Sequence, residues 1–163
     1  MLIAVGSNVG DRLGWLRMAR RRIAALPDTT STAASAVYET DAVGGPPQGR
    51  YLNACIAVET GLTPLVLLGD LLAIEHEAGR VRTGPDEPRT LDLDLLLFGR
   101  HEMAGDRLVV PHPRFVRRAF ALVPAADVAG AWEVPPGGET VAALAARVPS
   151  AGVNRFCGEE GWR

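Results

Sequence analysis

Short apolar runs alternate along the chain with polar breaks marked by glycine or proline, and the period of each run predicts its element. Leu2 to Val5 is a continuous apolar run with β-branched members, closed by Gly6-Ser7-Asn8. It reads as a buried strand ending in a turn. Asp11 stands where a helix N-cap is wanted, ahead of Leu13, Leu16, Ile23 and Leu26 at helical spacing, and Pro27-Asp28 ends that helix. Thr29 to Tyr38, rich in Thr, Ser and Ala, predicts one strand. Residues 41–50, with Gly44, Gly45, Pro46, Pro47 and Gly49, read as loop. Tyr51 to Glu59 then alternates cleanly: Leu52, Ala54, Ile56 and Val58 point one way, and Tyr51, Asn53 and Cys55 the other.

Thr63-Pro64 opens a helix expected over Leu65 to Ala78, stopped by Gly79. A loop from Arg80 to Thr90 leads to a strand over Leu91 to Phe98, a short strand near Leu108 to Val110 and a rigid corner at Pro111-His112-Pro113. Arg114 to Val123 predicts a helix, Thr140 a cap for a short helix to Arg147, and residues 150–163 a mobile or loosely packed tail. The order strand, helix, two strands, helix, strand, then an appended part is that of an α+β fold. The expectation is a ferredoxin-like antiparallel sheet packed with helices in three α/β/α layers. The 163 residues fit one domain, 1–163.

Composition narrows the function classes. A formal net charge of −2 gives no global pull toward nucleic acid or acidic membranes, so any phosphate must be held by local clusters. All 17 lysine-plus-arginine positions are arginine. Arg17, Arg20, Arg21 and Arg22 gather on the first helix, where a solvated face is the commoner meaning and a nucleic-acid face the alternative. Cys55 and Cys157 lack metal-ligand spacing and read as reduced thiols. The N-terminus carries no signal-peptide pattern, and no apolar run approaches the ~20 residues a bilayer demands. A cytoplasmic protein without membrane or nucleic-acid partners is expected.

The strongest local signal is Arg89-Thr90-Leu91-Asp92-Leu93-Asp94-Leu95-Leu96. In a strand the leucines face one side, while Asp92 and Asp94 face the other roughly 6.5 Å apart. That separation suits ligands of two divalent ions ~3.5–4 Å apart. Taken alone, the pair fits a metal site and a solvated strand edge equally well. Arg80, Arg82 and Arg89 flank it on a Gly/Pro-rich loop, and His112 with Arg117-Arg118 forms a second basic cluster. Guanidinium forks grip phosphate oxygens bidentately. No Walker A or protein-kinase glycine loop is present. Gly6-Ser7-Asn8-Val9-Gly10 is either a simple turn or an anion cradle. Tyr51 beside Asn53 offers a flat heterocycle one stacking ring and one amide, or is the polar face of a half-buried strand.

In combination these pieces resemble the 6-hydroxymethyl-7,8-dihydropterin pyrophosphokinases, from the first strand to about Val123. The matching segments are Gly6-Ser7-Asn8, Tyr38-Glu39-Thr40, Tyr51-Leu52-Asn53-Ala54, Glu75 before Gly79-Arg80-Val81-Arg82, Pro88-Arg89-Thr90-Leu91-Asp92-Leu93-Asp94 and Val110-Pro111-His112-Pro113. The resemblance implies transfer of pyrophosphate from ATP to the pterin alcohol in folate biosynthesis, by in-line attack on the β-phosphorus with release of AMP. It implies two Mg²⁺ ions on Asp92 and Asp94, with Arg82 and Arg89 joining the two acids as catalytic residues. It places Tyr51 and Phe120 on either side of the pterin ring, with Thr40, Val43, Asn53 and Asp92 around it. Glu75, Arg80, Arg82, Arg89, Arg107, His112 and Arg118 fall on the ATP side. A monomer is the simplest expectation for such a protein.

Three departures stand out. Asp86 and Glu87 occupy the place where family members usually carry an Arg-Trp pair, which predicts weaker ATP binding. Asp41-Ala42 replaces a proline-rich stretch, and Pro113 stands where an aromatic is often found. The competing readings are another two-metal nucleotidyltransferase, a pterin binder without activity, and an RNA-reading sheet. With three Trp, two Tyr and four Phe, the chain is poor in the aromatics the last would require.

Overall fold

The computed structural model describes residues 1–81, 84 and 87–163. Its elements run β1 (Leu2–Ser7), α1 (Arg12–Ala24), β2 (Thr29–Ala34), β3 (Val37–Thr40), β4 (Tyr51–Thr60), α2 (Pro64–Glu77), β5 (Asp92–Leu97), β6 (Met103–Ala104) and β7 (Val109–Val110). A 3-10 turn at Phe115–Arg117 leads into α3 (Ala119–Ala129), β8 (Glu133–Val134), β9 (Glu139–Thr140), α4 (Val141–Arg147), β10 (Val153–Cys157) and a closing 3-10 turn at Glu159–Trp162.

One antiparallel sheet of six strands organises the chain, in the order β10-β3-β4-β1-β5, with β2 also paired to β4. β1 is central and buried on both faces, which explains its unbroken apolar run. Ile3 and Val5 pack with Leu52, Ala54, Ile56 and Val58 against Leu16, Ile23, Leu67 and Leu71 of α1 and α2. Leu2 and Cys55 face the opposite way, against Ala121, Leu122 and Ala125 of α3, with Val141 and Leu144 of α4 behind them. The period-two alternation of β4 therefore divides two cores, one on each face of the sheet. The caps behave as their residue types predict: Asp11 accepts from Gly14 N at 3.0 Å, and Thr140 from Ala143 N at 3.2 Å. Gly79 ends α2 with φ +72°, where a side chain would be strained.

Three expectations are corrected. The stretch 29–38 is two strands, because the chain steps at Ser35-Ala36. Ser35 Oγ accepts from Cys55 N at 2.9 Å, and Ala36 N donates to Asp127 of α3 at 3.1 Å. β2 then pairs with the second half of β4 and β3 with its first half. Tyr38 is fixed beside the same Asp127 carboxylate, and burial with that hydrogen bond raises its pKa to about 12. The helix expected over 114–123 starts only at Ala119, because Arg118 is extended (φ −113°, ψ 104°), and it runs through Pro124 to Ala129.

The tail at 150–163, expected to be loosely packed, forms the edge strand β10 and buries Trp162 completely. Trp162 Nε1 donates to Ser35 O at 2.8 Å. Arg17 donates to Gly161 O at 2.8 Å, and Arg20 lies 5.1 Å over the Trp162 ring while pairing with Glu159. With Arg22 paired to Glu77, three of the four arginines clustered at 17–22 serve contacts within the fold, and Arg21 is exposed. No helix among the described residues is long and apolar enough to cross a membrane.

Candidate active site

The C-terminal end of β1 and the N-terminal ends of β4 and β5 meet at one end of the sheet. The register sets Gly6 opposite both Asn53 and Asp92. Gly6 is the floor of the site: a Cβ there would lie 2.8 Å from Asn53 Oδ1, 3.8 Å from Asp92 Cβ and 3.9 Å from the Tyr51 ring. Above it opens a cavity of about 250 Å³ on the α3 face of the sheet. Its walls are Thr40 and Asp41 at the end of β3, Val43 and Gln48 of the following loop, Tyr51 and Asn53 of β4, and Asp92 and Asp94 of β5. Arg80, Gly84, Arg89, Arg114, Arg118 and Phe120 complete it. Asn53 is nearly buried, and its amide donates to Thr40 Oγ1 at 2.8 Å, which fixes the orientation it presents to a ligand. Tyr51 OH donates to Gln48 Oε1 at 3.1 Å, and the Arg89 guanidinium stands 5.8 Å over its ring.

The acid pair is set among arginines. Asp92 is paired with Arg80 and, at 3.1 Å, with Arg89. Arg80 pairs in turn with Glu75, and Glu75 also accepts from Leu93 N at 2.8 Å. Glu75 is buried and does not line the cavity. Glu75, which the resemblance sets on the ATP side, holds Arg80 and β5 from behind. Burial raises the pKa of Asp94, and the charge of Asp92 raises it further, opposed by His112, Arg118 and Arg80. Burial lowers the pKa of His112; Asp94 opposes that shift, while Arg118 and Arg114 reinforce it.

A second cleft of about 270 Å³ adjoins the first and contains Arg107, His112 and Pro113. Asp94 lines both. His112 is held by its own backbone, which donates to Leu96 O at 2.9 Å, and its Nδ1 accepts from Arg114 N at 3.2 Å. The first space, walled by a tyrosine, a phenylalanine, an amide and Arg80, Arg89, Arg114 and Arg118, suits a flat heterocycle beside a phosphate chain, and the second adds Arg107 and His112 to a wall made largely by Leu68, Leu93, Leu95 and Leu108.

A family model described as 7,8-dihydro-6-hydroxymethylpterin-pyrophosphokinase (HPPK) matches residues 2–130. The chain belongs to this family. It is therefore an enzyme of the pyrophosphokinase class. It is 44% identical over 126 residues to 2-amino-4-hydroxy-6-hydroxymethyldihydropteridine pyrophosphokinase of Bacillus subtilis, covering 77% of this chain and 75% of that protein. With the Pseudomonas aeruginosa protein of the same name the identity is 42% over 156 residues, or 96% of each chain. A solved Plasmodium falciparum HPPK-DHPS with pteroate shares the fold, with a TM-score of 0.65 at 12% identity. That match covers 90% of this chain and 42% of the other, so this HPPK spans less than half of the HPPK-DHPS chain.

Seen as an HPPK site, the two spaces separate the expected residues. Thr40, Val43, Tyr51, Asn53, Asp92 and Phe120 share the first cavity, together with Arg80, Arg89 and Arg118. Arg107 and His112 share the second. Arg82 lies outside the described residues, as does Asp86 of the altered loop. Residue types alone missed Asp41, Gln48 and Arg114 on the cavity wall, and the part played by Asn8. Asn8 Oδ1 accepts from Arg89 N at 2.8 Å, and its amide donates to Gln48 Oε1 at 2.8 Å and Gly49 O at 3.2 Å. The turn after β1 thus ties the two loops that flank the cavity. Its Gly-Ser-Asn signature was visible, but not its partners.

The donor set also fits magnesium. Among the described residues no cluster of three or more His, Cys, Asp or Glu forms a closed cage. Two hard carboxylates on one strand face are what Mg²⁺ uses when phosphates and water complete its shell.

Proposed function

We propose that this HPPK passes the two terminal phosphates of ATP to the hydroxymethyl group of 6-hydroxymethyl-7,8-dihydropterin, with the pterin in the first cavity and the triphosphate reaching from that cavity's arginines toward the second cleft. The observation that carries the arrangement is the shared wall. Asp94 borders both spaces, and Asp92 stands beside it in the first. Tyr51 and Phe120 stack on the pterin ring; Thr40, Asn53 and the backbone at Val43 take its hydrogen-bonding edge. Arg89, His112 and Arg118 hold phosphate oxygens, with Arg107 along the second cleft and Arg82 on the adjoining loop. Glu75 acts through Arg80, keeping that guanidinium beside Asp92.

Asp92 and Asp94 would hold two Mg²⁺ ions, which would neutralise phosphate charge and favour loss of the alcohol proton. The hydroxymethyl oxygen forms a bond to the β-phosphorus as the bond from that phosphorus to the α–β bridging oxygen breaks. AMP departs with the bond's electron pair, and the carboxylate pair takes the hydroxyl proton. The protein's own contribution is alignment of the two substrates and a preset field of arginines around the transferring group. The two-faced packing of helices supports the ferredoxin-like three-layer description. One chain supplies both spaces, which fits action as a monomer, and a cytoplasmic location goes with the use of ATP.

The test is a product assay with the purified chain, ATP, Mg²⁺ and the pterin alcohol. AMP and pyrophosphorylated pterin in equal amounts are expected. Release of ADP or of pyrophosphate would overturn the reaction assigned, and pterin binding without AMP would leave a binding protein.

A further inference from the structure

The loop at 41–50 carries Asp41, Val43 and Gln48 on the cavity wall, yet its composition gives it little stiffness. Gly44 and Gly45 take φ values of 79° and 72°, and Gly49 follows two prolines. Such a segment samples many conformations unless its ends are held. A charged network crosses those ends. Arg50, the last residue of the loop, donates from Nε to Asp41 Oδ1, on the first residue, at 2.8 Å, and from Nη1 to Glu39 Oε2 at 3.3 Å. Arg12, entering from the start of α1, donates to Glu39 Oε1 at 2.9 Å and to the Arg50 carbonyl at 2.9 Å. Arg12 and Glu39 are about three-quarters covered, at 28% and 25% side-chain exposure, while Arg50 and Asp41 are open at 47% and 66%.

Position matters more here than pair strength. Glu39 precedes Thr40, which receives the Asn53 amide; Arg50 precedes Tyr51, the stacking ring. The network therefore pins the two backbone points from which the cavity's edge-reading and stacking groups project. Isolated exposed pairs contribute little to global stability. A clasp that fixes loop ends acts instead on binding, by removing conformations the loop would lose when the ligand enters. Arg50 itself does not line the cavity.

We infer that Arg50, with Asp41, Glu39 and Arg12, is an electrostatic clasp that preorganises the 41–50 loop for the pterin, making Arg50 a positioning residue for substrate affinity. The inference rests on the pterin occupying the first cavity. The clasp should be sensitive to ionic strength, because two of its members are exposed.

The experiment measures pterin Kd by titration, and kcat and KM by AMP release, for the wild-type chain, Arg50→Ala, Arg50→Lys, Asp41→Asn and the Arg50→Ala/Asp41→Asn pair. Arg50→Ala is expected to raise the pterin Kd and KM roughly three- to fivefold, with kcat at saturating substrate nearly unchanged and Tm within a degree or two. Arg50→Lys recovers part of the loss. Once Asp41→Asn is present, Arg50→Ala costs less than it does alone, and raised salt weakens pterin binding more in the wild type than in Arg50→Ala. An unchanged pterin Kd in Arg50→Ala, strictly additive effects, or a fall in kcat alone overturns the clasp. Absence of pterin binding to the wild-type chain overturns the reading of the cavity and the clasp with it.

Discussion

Gly6 is fixed by what lies over it. Its neighbours across both strand pairs are Asn53 and Asp92 of the first cavity, and the Asn53 carboxamide occupies the space a methyl group would need. Gly6→Ala should push that amide off Thr40 and raise the pterin Kd about tenfold or more, the scale of an overpacked site. Calorimetric titration would show it, and an unchanged Kd would mean that Asn53 does not read the ring. Asp94 carries the opposite bargain. Burial and Asp92 disfavour its charge, so Asp94→Asn is expected to abolish AMP release while raising the stability of the magnesium-free protein by roughly 0.5–1.5 kcal/mol at neutral pH. Urea titration in chelator checks the second part, and retained turnover rejects the first. The acids, Tyr51 and Asn53 were legible in the chain because period-two strands sort their side chains by face. Asn8, Gln48 and Arg114 were not, because their roles arise from partners 40 or more residues away or from the shape of a corner.

Elements with strong periodicity were also readable: β1, α1, β4, α2 and β5 lie within a few residues of expectation. Failures came where tertiary contacts overrode local pattern. The step at Ser35-Ala36 carries no glycine or proline; it exists because Cys55 and Asp127 satisfy its backbone from β4 and α3. The closing 3-10 turn has no long apolar run, and its order comes from α1. Hydrogen bonds from Arg163 and Arg20 hold the Glu159 carboxyl at about 2, below its ordinary 4.5. A lowered carboxyl pKa adds stability that is present above the ordinary value and is lost as pH falls from 4.5 toward 2. The Glu159 side chain is 34% exposed, so solvent screening keeps the contribution under about 1 kcal/mol. Glu159→Gln should therefore lower Tm slightly at pH 7, and the gap to wild type should close by about pH 2. A gap that persists in acid would assign the loss to something other than this ion pair.

The molecule is closed by a segment beyond the family match. That match ends at residue 130, yet the core between the sheet and α1 includes Trp162, among the largest fully buried side chains. β10 also covers the open side of β3, the strand that ends in Thr40 at the cavity. The last fourteen residues thus join the α1 face to the outer strand of the site. Removing the indole leaves a large void and strips Ser35 O of its donor, and buried Trp→Ala changes cost about 3–5 kcal/mol. Trp162→Ala is expected to lose that much in urea-induced unfolding. At temperatures where the variant stays folded, its kcat should remain within about threefold of wild type, because Trp162 lines neither cavity. A loss below about 1 kcal/mol would mean that the tail is laid on the core and not part of it. A collapse of kcat in folded protein would mean that β10, through β3, sets the geometry of Thr40.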